Sequence, residues 1–176
     1  MNYWLMSDTH FGHNKLIDYC GRSFDFENLI LKKMKNAISA NDVVIHLGDF
    51  CFIDEEYWHT RYLQGPPHVR NWLILGNHDK KTLSWYLNIG WDFVATTMQM
   101  DIFGKKILFS HKPQIDTGYD LNFHGHFHNS DHRRHEPELK AIANPKHRLI
   151  MMEHHYEPQS LRSLVECSRL STSKEI

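Results

Sequence analysis

The sequence predicts an α/β fold, with strands in layered sheets that end on one functional rim. Three observations predict it. Short apolar runs at 3–6, 43–47 and 72–75 read as buried strands. Stretches with apolar residues at helical spacing lie between them. Five strands run directly into clusters rich in Asp, Asn and His, and the carboxyl ends of a layered sheet would gather such clusters on one side.

The elements follow in order. Tyr3-Trp4-Leu5-Met6 is the first strand, and it stops at Ser7-Asp8-Thr9-His10. After Gly12, the residues Leu16, Ile17 and Cys20 mark a short helix closed by Gly21. Asp25 stands as the N-cap of a longer helix, in which Phe26, Ile30, Met34 and Ile38 recur while Lys32, Lys33 and Lys35 fall largely on other faces. Asn41-Asp42 turns the chain into strand 43–47, which ends at Gly48-Asp49. A helix over 54–63 is broken by Gly65-Pro66-Pro67. Strand 72–75 ends at Gly76-Asn77-His78-Asp79, and a helix of about two turns follows. Residues 93–103, Gly104 and 105–109 read as strand, turn and strand, ending at Ser110-His111. A short strand at 121–124 ends at Gly125-His126-Phe127-His128. The stretch 129–147 has no clear period beyond a turn or two of helix after Pro137, and a connection of that length is more often functional than idle. A late strand at 149–153 and a last helix at 158–165 complete the expectation.

The 176 residues fit a single domain spanning 1–176. Cys20, Cys51 and Cys167 are odd in number and widely spaced, which argues against a secreted disulfide scaffold and for the cytoplasm. No apolar run approaches the roughly 18 residues of a membrane span, and the apolar stretch before Lys15 is too short for a signal peptide. A net charge of −1 argues against a long nucleic-acid track, because neutralising many phosphates takes a surplus of Lys and Arg. Histidine is the outlier at 15 residues, and its abundance points to metal, whose positive charge a side-chain count omits.

The five clusters offer imidazoles, carboxylates and one amide oxygen, with no thiolate. That set suits Mn, Fe, Zn, Ni or Co better than a structural Cys-type zinc, and Mn²⁺ is the expected metal. The ligands are too many for one ion, so a pair sharing a bridging carboxylate is expected. Such a pair lowers the pKa of a bound water and holds the attacking and leaving oxygens of a phosphoryl displacement.

Taken together, Asp8-x-His10, Gly48-Asp49, Gly76-Asn77-His78-Asp79, Ser110-His111 and Gly125-His126-x-His128 resemble the calcineurin-like metallophosphoesterase superfamily. SDTHFGH near the start and HLGDF in the middle are similar to small bacterial and phage phosphoesterases. The motifs cover residues 8–128. The resemblance implies a four-layer αββα sandwich with the dimetal site at the carboxyl ends of strands. It implies that Asp8, His10 and His128 bind one ion, that Asp49 bridges, and that Asn77, His111 and His126 complete the other. His78 would contact the phosphoryl group and protonate or stabilise the leaving oxygen, with Asp79 hydrogen-bonded to its imidazole to orient it. The 37 residues between His10 and Gly48 exceed the usual spacing, and the helix near 26–38 accounts for the excess.

Beyond the motifs, His13 at a helix start is a candidate phosphate contact. Arg133 and Arg134 could bind a second phosphate or a base, although the nearby Asp131, Glu136 and Glu138 dilute their charge. His46 reads as a satisfied core or supporting histidine, and His124 as a supporting one. His59, His68, His147, His154 and His155 read as surface or rim positions. The expected activity is a phosphodiesterase acting on small nucleotide phosphodiesters, 2′,3′-cyclic ones among them, by attack of a metal-bridged hydroxide. A phosphomonoesterase or phosphoprotein phosphatase, and then a nuclease, are the alternatives within enzymes. A non-catalytic metal-binding interaction protein is the alternative outside them, but the full set of ligands argues against a dead scaffold.

Overall fold

The computed structural model describes residues 1–115, 118–129, 144–153 and 155–171, with side chains through 167. Among the described residues nine strands form two sheets. The first has the order β4-β3-β2-β1-β9, and its members are β1 (Tyr3–Met6), β2 (Val43–His46), β3 (Arg70–Ile74), β4 (Phe93–Ala95) and β9 (Gln159–Ser160). The second has the order β5-β6-β7-β8, built from β5 (Thr97–Ile102), β6 (Lys105–Ser110), β7 (Leu121–His124) and β8 (His147–Leu149). Helices α1 (Leu16–Cys20), α2 (Phe26–Ala37), α3 (Glu55–Leu63), α4 (Leu83–Ile89) and α5 (Leu161–Ser171) accompany them. The result is an α/β sandwich of two sheets with helices. Among the described residues no helix is long and apolar enough to cross a membrane.

Strand alternation explains why β1 to β3 read as unbroken apolar runs. Successive side chains point to opposite faces, and both faces are covered. Met6, Val44 and Leu73 join a core with Phe26, Ile30 and Met34 of α2, Tyr62 of α3 and Tyr86 of α4. Leu5, Val43, Ile45 and Ile74 join the core between the sheets, with Ile107, Phe109, Leu121 and Phe123 opposite and Leu161 and Val165 of α5 beside them. In α2 the buried residues Phe26, Ile30 and Met34 recur every fourth position, the stripe that faces a sheet. Asp25 occupies the N-cap position, but its side chain makes no cap hydrogen bond and accepts from Asn28 Nδ2 instead.

The structure corrects several boundaries. The expected strand 93–103 is two strands: β4 pairs in parallel with β3, the chain bends at Thr96, and β5 pairs antiparallel with β6. Extended backbone on both sides of the bend leaves the pattern unbroken, so only the tertiary partners reveal the change of sheet. The late strand is His147–Leu149, and residues 150–153 lie beyond it. The last helix begins at Leu161, because Gln159 and Ser160 pair antiparallel with β1. The helix expected after Pro137 lies outside the described residues.

Two histidines expected at the surface are buried. His59 stacks on Phe50 with ring centroids 4.1 Å apart and accepts from Trp91 Nε1 at 2.9 Å. His147 lies beside His124 and Tyr119. His46 is buried and fully satisfied. Gly48 N–H donates to its Nδ1 at 3.2 Å, and its Nε2 meets Thr9 Oγ1 at 3.0 Å. Thr9 uses its own proton on the Phe50 carbonyl at 2.7 Å, so His46 Nε2–H is the donor and the ring is neutral.

Burial pushes His46 and His59 down to about 3. The unfolded chain, titrating near 6.5, therefore takes up protons first as the pH falls. Their contribution is complete above about pH 6.5 and is lost progressively toward pH 3. At pH 5.5 each costs about 1.4 kcal/mol. The urea midpoint should therefore fall between pH 7 and 5.5, and His59→Gln should make that fall shallower by about 1 kcal/mol. A His59→Gln midpoint that changes with pH just as the wild type's does contradicts neutral burial.

Candidate metal centre

Each ligand-bearing loop begins where a strand ends. β1, β2 and β3 stop in step, with Met6 opposite His46 and His46 opposite Leu73, so Asp8, Asp49 and Asn77 emerge on one edge. In the second sheet β6 and β7 run parallel, with Phe109 opposite Phe123, and deliver His111, His126 and His128. The chain turns sharply there. Among the described residues ten non-glycine positions have positive φ, and five of them are Asp8, His10, Asp49, His126 and His128. L residues rarely occupy that region, at a cost of about 1–3 kcal/mol each, and it persists only where the surroundings enforce it. Two glycines let the loops touch. A Cβ at Gly125 would overlap Ser7 Oγ and Asp8 Oδ2, and one at Gly76 would overlap the Asp49 carboxylate.

Six of the residues expected as ligands gather in two buried groups that could each hold an ion, Asp8–His10–His128 and Asp49–His111–His126. In the first, Asp8 Oδ2 accepts from Ser7 Oγ at 2.5 Å and His126 N–H at 2.9 Å. Its Oδ1 has no hydrogen-bond partner and faces His128 Nε2 at 3.5 Å and His10 Nε2 at 3.8 Å. His10 is equally unsatisfied at both ring nitrogens. In the second, His111 Nδ1 donates to the Leu47 carbonyl at 2.8 Å, so that in the neutral ring Nε2 carries the lone pair. That lone pair faces Asn77 Oδ1 at 3.0 Å and Asp49 Oδ2 at 3.3 Å, with His126 Nδ1 at 3.2 Å. Acceptors aimed at one another in a closed space call for a cation. Their pull on protons says the same. Burial opposes a charge on His128 and His111, yet Asp8 with Cys20 and Glu153 pushes the first up to about 10, and Asp49 with Asp8 pushes the second to about 9. The donor set, nitrogen and oxygen without thiolate, fits first-row divalent ions.

Asp49 lies between the groups. Its Oδ1 accepts from His78 N–H at 2.7 Å, and its Oδ2 stands 3.6 Å from His10 Nε2 and 3.3 Å from His111 Nε2. The same oxygen is 4.0 Å from His78 Nε2, whose side chain is 35% exposed and so faces both the site and solvent.

Asp79 does not orient His78, contrary to expectation. Its carboxylate accepts from the backbone N–H groups of Asp49, Gly76 and Phe50 at 2.9, 2.7 and 3.1 Å. Those bonds tie the loop after β3 to the loop after β2, and they commit the carboxylate to amides rather than to the neighbouring imidazole. His13 departs from expectation in a different way. α1 begins only at Leu16, so no helix terminus lies at His13, and its ring instead stacks on Phe52 with centroids 4.0 Å apart. Arg133 and Arg134 lie outside the described residues.

No sequence pattern singles out Arg22 and Glu153. The Arg22 guanidinium donates to the Thr9 and Asp8 carbonyls at 2.7 and 2.6 Å and to Glu153 Oε1 at 2.6 Å. Glu153 Oε1 also accepts from His128 Nδ1 at 2.8 Å, which fixes the tautomer that turns Nε2 toward Asp8. Both side chains are buried, at 0% and 1% exposure. They stand 131 residues apart in the chain, so no local pattern could have paired them.

Glu153→Gln should lower metal content at the first group, with affinity falling roughly 10–100-fold while the second group still loads. It should also cost about 3 kcal/mol of stability, because the Arg22 charge is left buried. Metal analysis after dialysis and thermal unfolding check both effects, and retention of two tightly held ions would contradict this role.

The family model for calcineurin-like phosphoesterases matches residues 1–172. An uncharacterized protein of Methanocaldococcus jannaschii is 30% identical over 171 residues, which cover 93% of this chain and 89% of that protein. The crystal structure of an Aquifex aeolicus protein of unknown function superposes with a TM-score of 0.75 at 25% identity, covering 94% of this chain and 98% of that one. With the family pattern matched across nearly all of its length, the chain belongs to the calcineurin-like phosphoesterases.

Proposed function

We propose that this chain is a dimetal-dependent phosphodiesterase, a single domain over 1–176, that hydrolyses small nucleotide phosphodiesters, 2′,3′-cyclic ones among them. The observation that carries the dimetal reading is Asp49 Oδ2, placed between His10 at 3.6 Å and His111 at 3.3 Å, where one oxygen can serve both groups. Asp8, His10 and His128 would hold one ion, and Asn77, His111 and His126 the other. When bound, the pair neutralises phosphate charge and activates the attacking water, with Mn²⁺ favoured.

The chain's own residues do the rest. Asp49 and Asp8 keep the ligands at fixed spacing. His78 turns a half-exposed ring toward the site, where its Nε2 can give a proton to the departing oxygen. A net charge of −1 supports a small substrate over a long polyanion. Free cysteines, Cys167 exposed among them, support a reducing compartment such as the cytoplasm.

A panel with Mn²⁺ tests the activity. It sets bis-p-nitrophenyl phosphate, p-nitrophenyl phosphate and 2′,3′- and 3′,5′-cyclic nucleotides side by side. Diesters should be preferred, and a preference for the monoester would overturn the diesterase reading. Asp49→Ala should lose both ions and reduce kcat/KM by more than the roughly 100-fold that losing a ligand's support costs. Full turnover with unchanged metal content would refute the dimetal site. His78→Ala should keep the metal and slow hydrolysis by about 10²–10⁴-fold, most for poor leaving groups. Equal slowing across leaving groups would remove the proton-donor role.

A further inference from the structure

Beside the metal ligands four aromatic rings close a circuit. His10 lies 5.5 Å from His13, His13 lies 4.0 Å from Phe52, Phe52 lies 5.4 Å from His78, and His78 lies 5.4 Å from His10. His10 and His78 belong to the site described above. His13 and Phe52 extend it outward, and the proposed activity gives them no task.

The fold places this pair deliberately. The loops after β1 and β2 run side by side through a parallel bridge between Phe11 and Cys51, and Phe52 N–H donates to the Phe11 carbonyl at 2.9 Å. Gly12 permits the contact, since a Cβ there would lie 2.6 Å from Ile53 Cγ1 at a φ of +78°. The chain therefore turns Phe52 toward the site and not into the core.

Phe52 remains 46% exposed, although the parallel His13 ring, tilted by only 8°, covers one of its faces. The exposed area is what the His13 stack and the His78 ring, 5.4 Å away at 53°, leave uncovered. A rigid aromatic face left open to water, one ring away from the group that meets the leaving oxygen, suits a flat partner joined to the phosphate by a short link. Among phosphate esters, a nucleotide carries such a partner. Stacking on an aromatic side chain tolerates any base and needs no hydrogen-bond donors, and the Phe52 ring offers none.

We propose that Phe52, braced by His13, is the wall on which the base of a nucleotide stacks while its phosphate lies beside His78. The proposal rests on the phosphoesterase reading of the site and adds the feature that distinguishes nucleotides from other phosphate esters.

The test is equilibrium binding by calorimetry to the Mn²⁺-loaded protein, with adenosine 5′-monophosphate, ribose 5-phosphate and inorganic phosphate as probes. The first two differ only in the base. The wild type should bind the nucleotide about tenfold more tightly than the sugar phosphate. Phe52→Ala should abolish that difference and leave affinity for inorganic phosphate unchanged, and Phe52→Tyr should restore it. Equal affinity in the wild type, a preference that survives Phe52→Ala, or an equal loss for all three probes overturns the proposal. Binding is read without turnover, so failure of the diesterase reading in the substrate panel stays distinguishable from failure here.

Discussion

Buried acceptors turned toward one another repel unless a cation lies among them, and this molecule holds its acceptors that way through hydrogen-bonded supports of its own. Asp8 Oδ1 and His10 Nε2 have no other partner, and His111 Nε2 faces two oxygens. Desolvating such groups without compensation is expensive, so something else must fix them. Three supports do so. Arg22 and Glu153 clamp the loop after β1 to His128. Asp79 binds the loops after β2 and β3 through three amides. Thr9 and His46 join the loops after β1 and β2 from below. The positive φ angles at five ligands are the residue of that enforcement, strain kept in place because every alternative would break a support.

Much of this was legible in the residues. The apolar runs at 43–47 and 72–75, and the polar clusters that follow them, placed β2 and β3 and the rim on which Asp49 and Asn77 stand. Gly21 marked the end of α1, where it adopts a left-handed conformation. Local patterns reach only as far as a few turns of chain, and the failures share that cause. The bend at Thr96 changes sheet without changing the extended pattern. His59 and His147 look like surface polar residues until their aromatic neighbours, supplied from distant segments, enclose them. Asp79 adjoins His78 in sequence, which suggested a pairing that three better-placed amides had already taken. The supports of the site were less legible than its ligands, because a ligand declares itself by chemistry whereas a support is defined by what it reaches.

Depth divides the site into two layers. The proposed metal ligands sit deep, with Asp8, His10, Asp49, His111, His126 and His128 all buried. The groups proposed to meet substrate, His78, His13 and Phe52, are partly or largely exposed and lie on loops of the first sheet beside that cluster. Substitutions in the outer layer can therefore alter which esters are accepted while the inner layer keeps its geometry, a separation common where loops are carried on a rigid scaffold.

Each ligand group draws on both sheets. The first takes Asp8 and His10 from one sheet and His128 from the other, and the second takes Asp49 from one and His111 with His126 from the other. An ion held by either group would thus act as a rivet through the sandwich. Sliding of one sheet against the other would stretch or crowd both coordination shells together. The packing between Ile45 and Ile74 on one side and Phe109 and Phe123 on the other then becomes the gauge block that sets the spacing of the metals, from a part of the molecule that touches none of them.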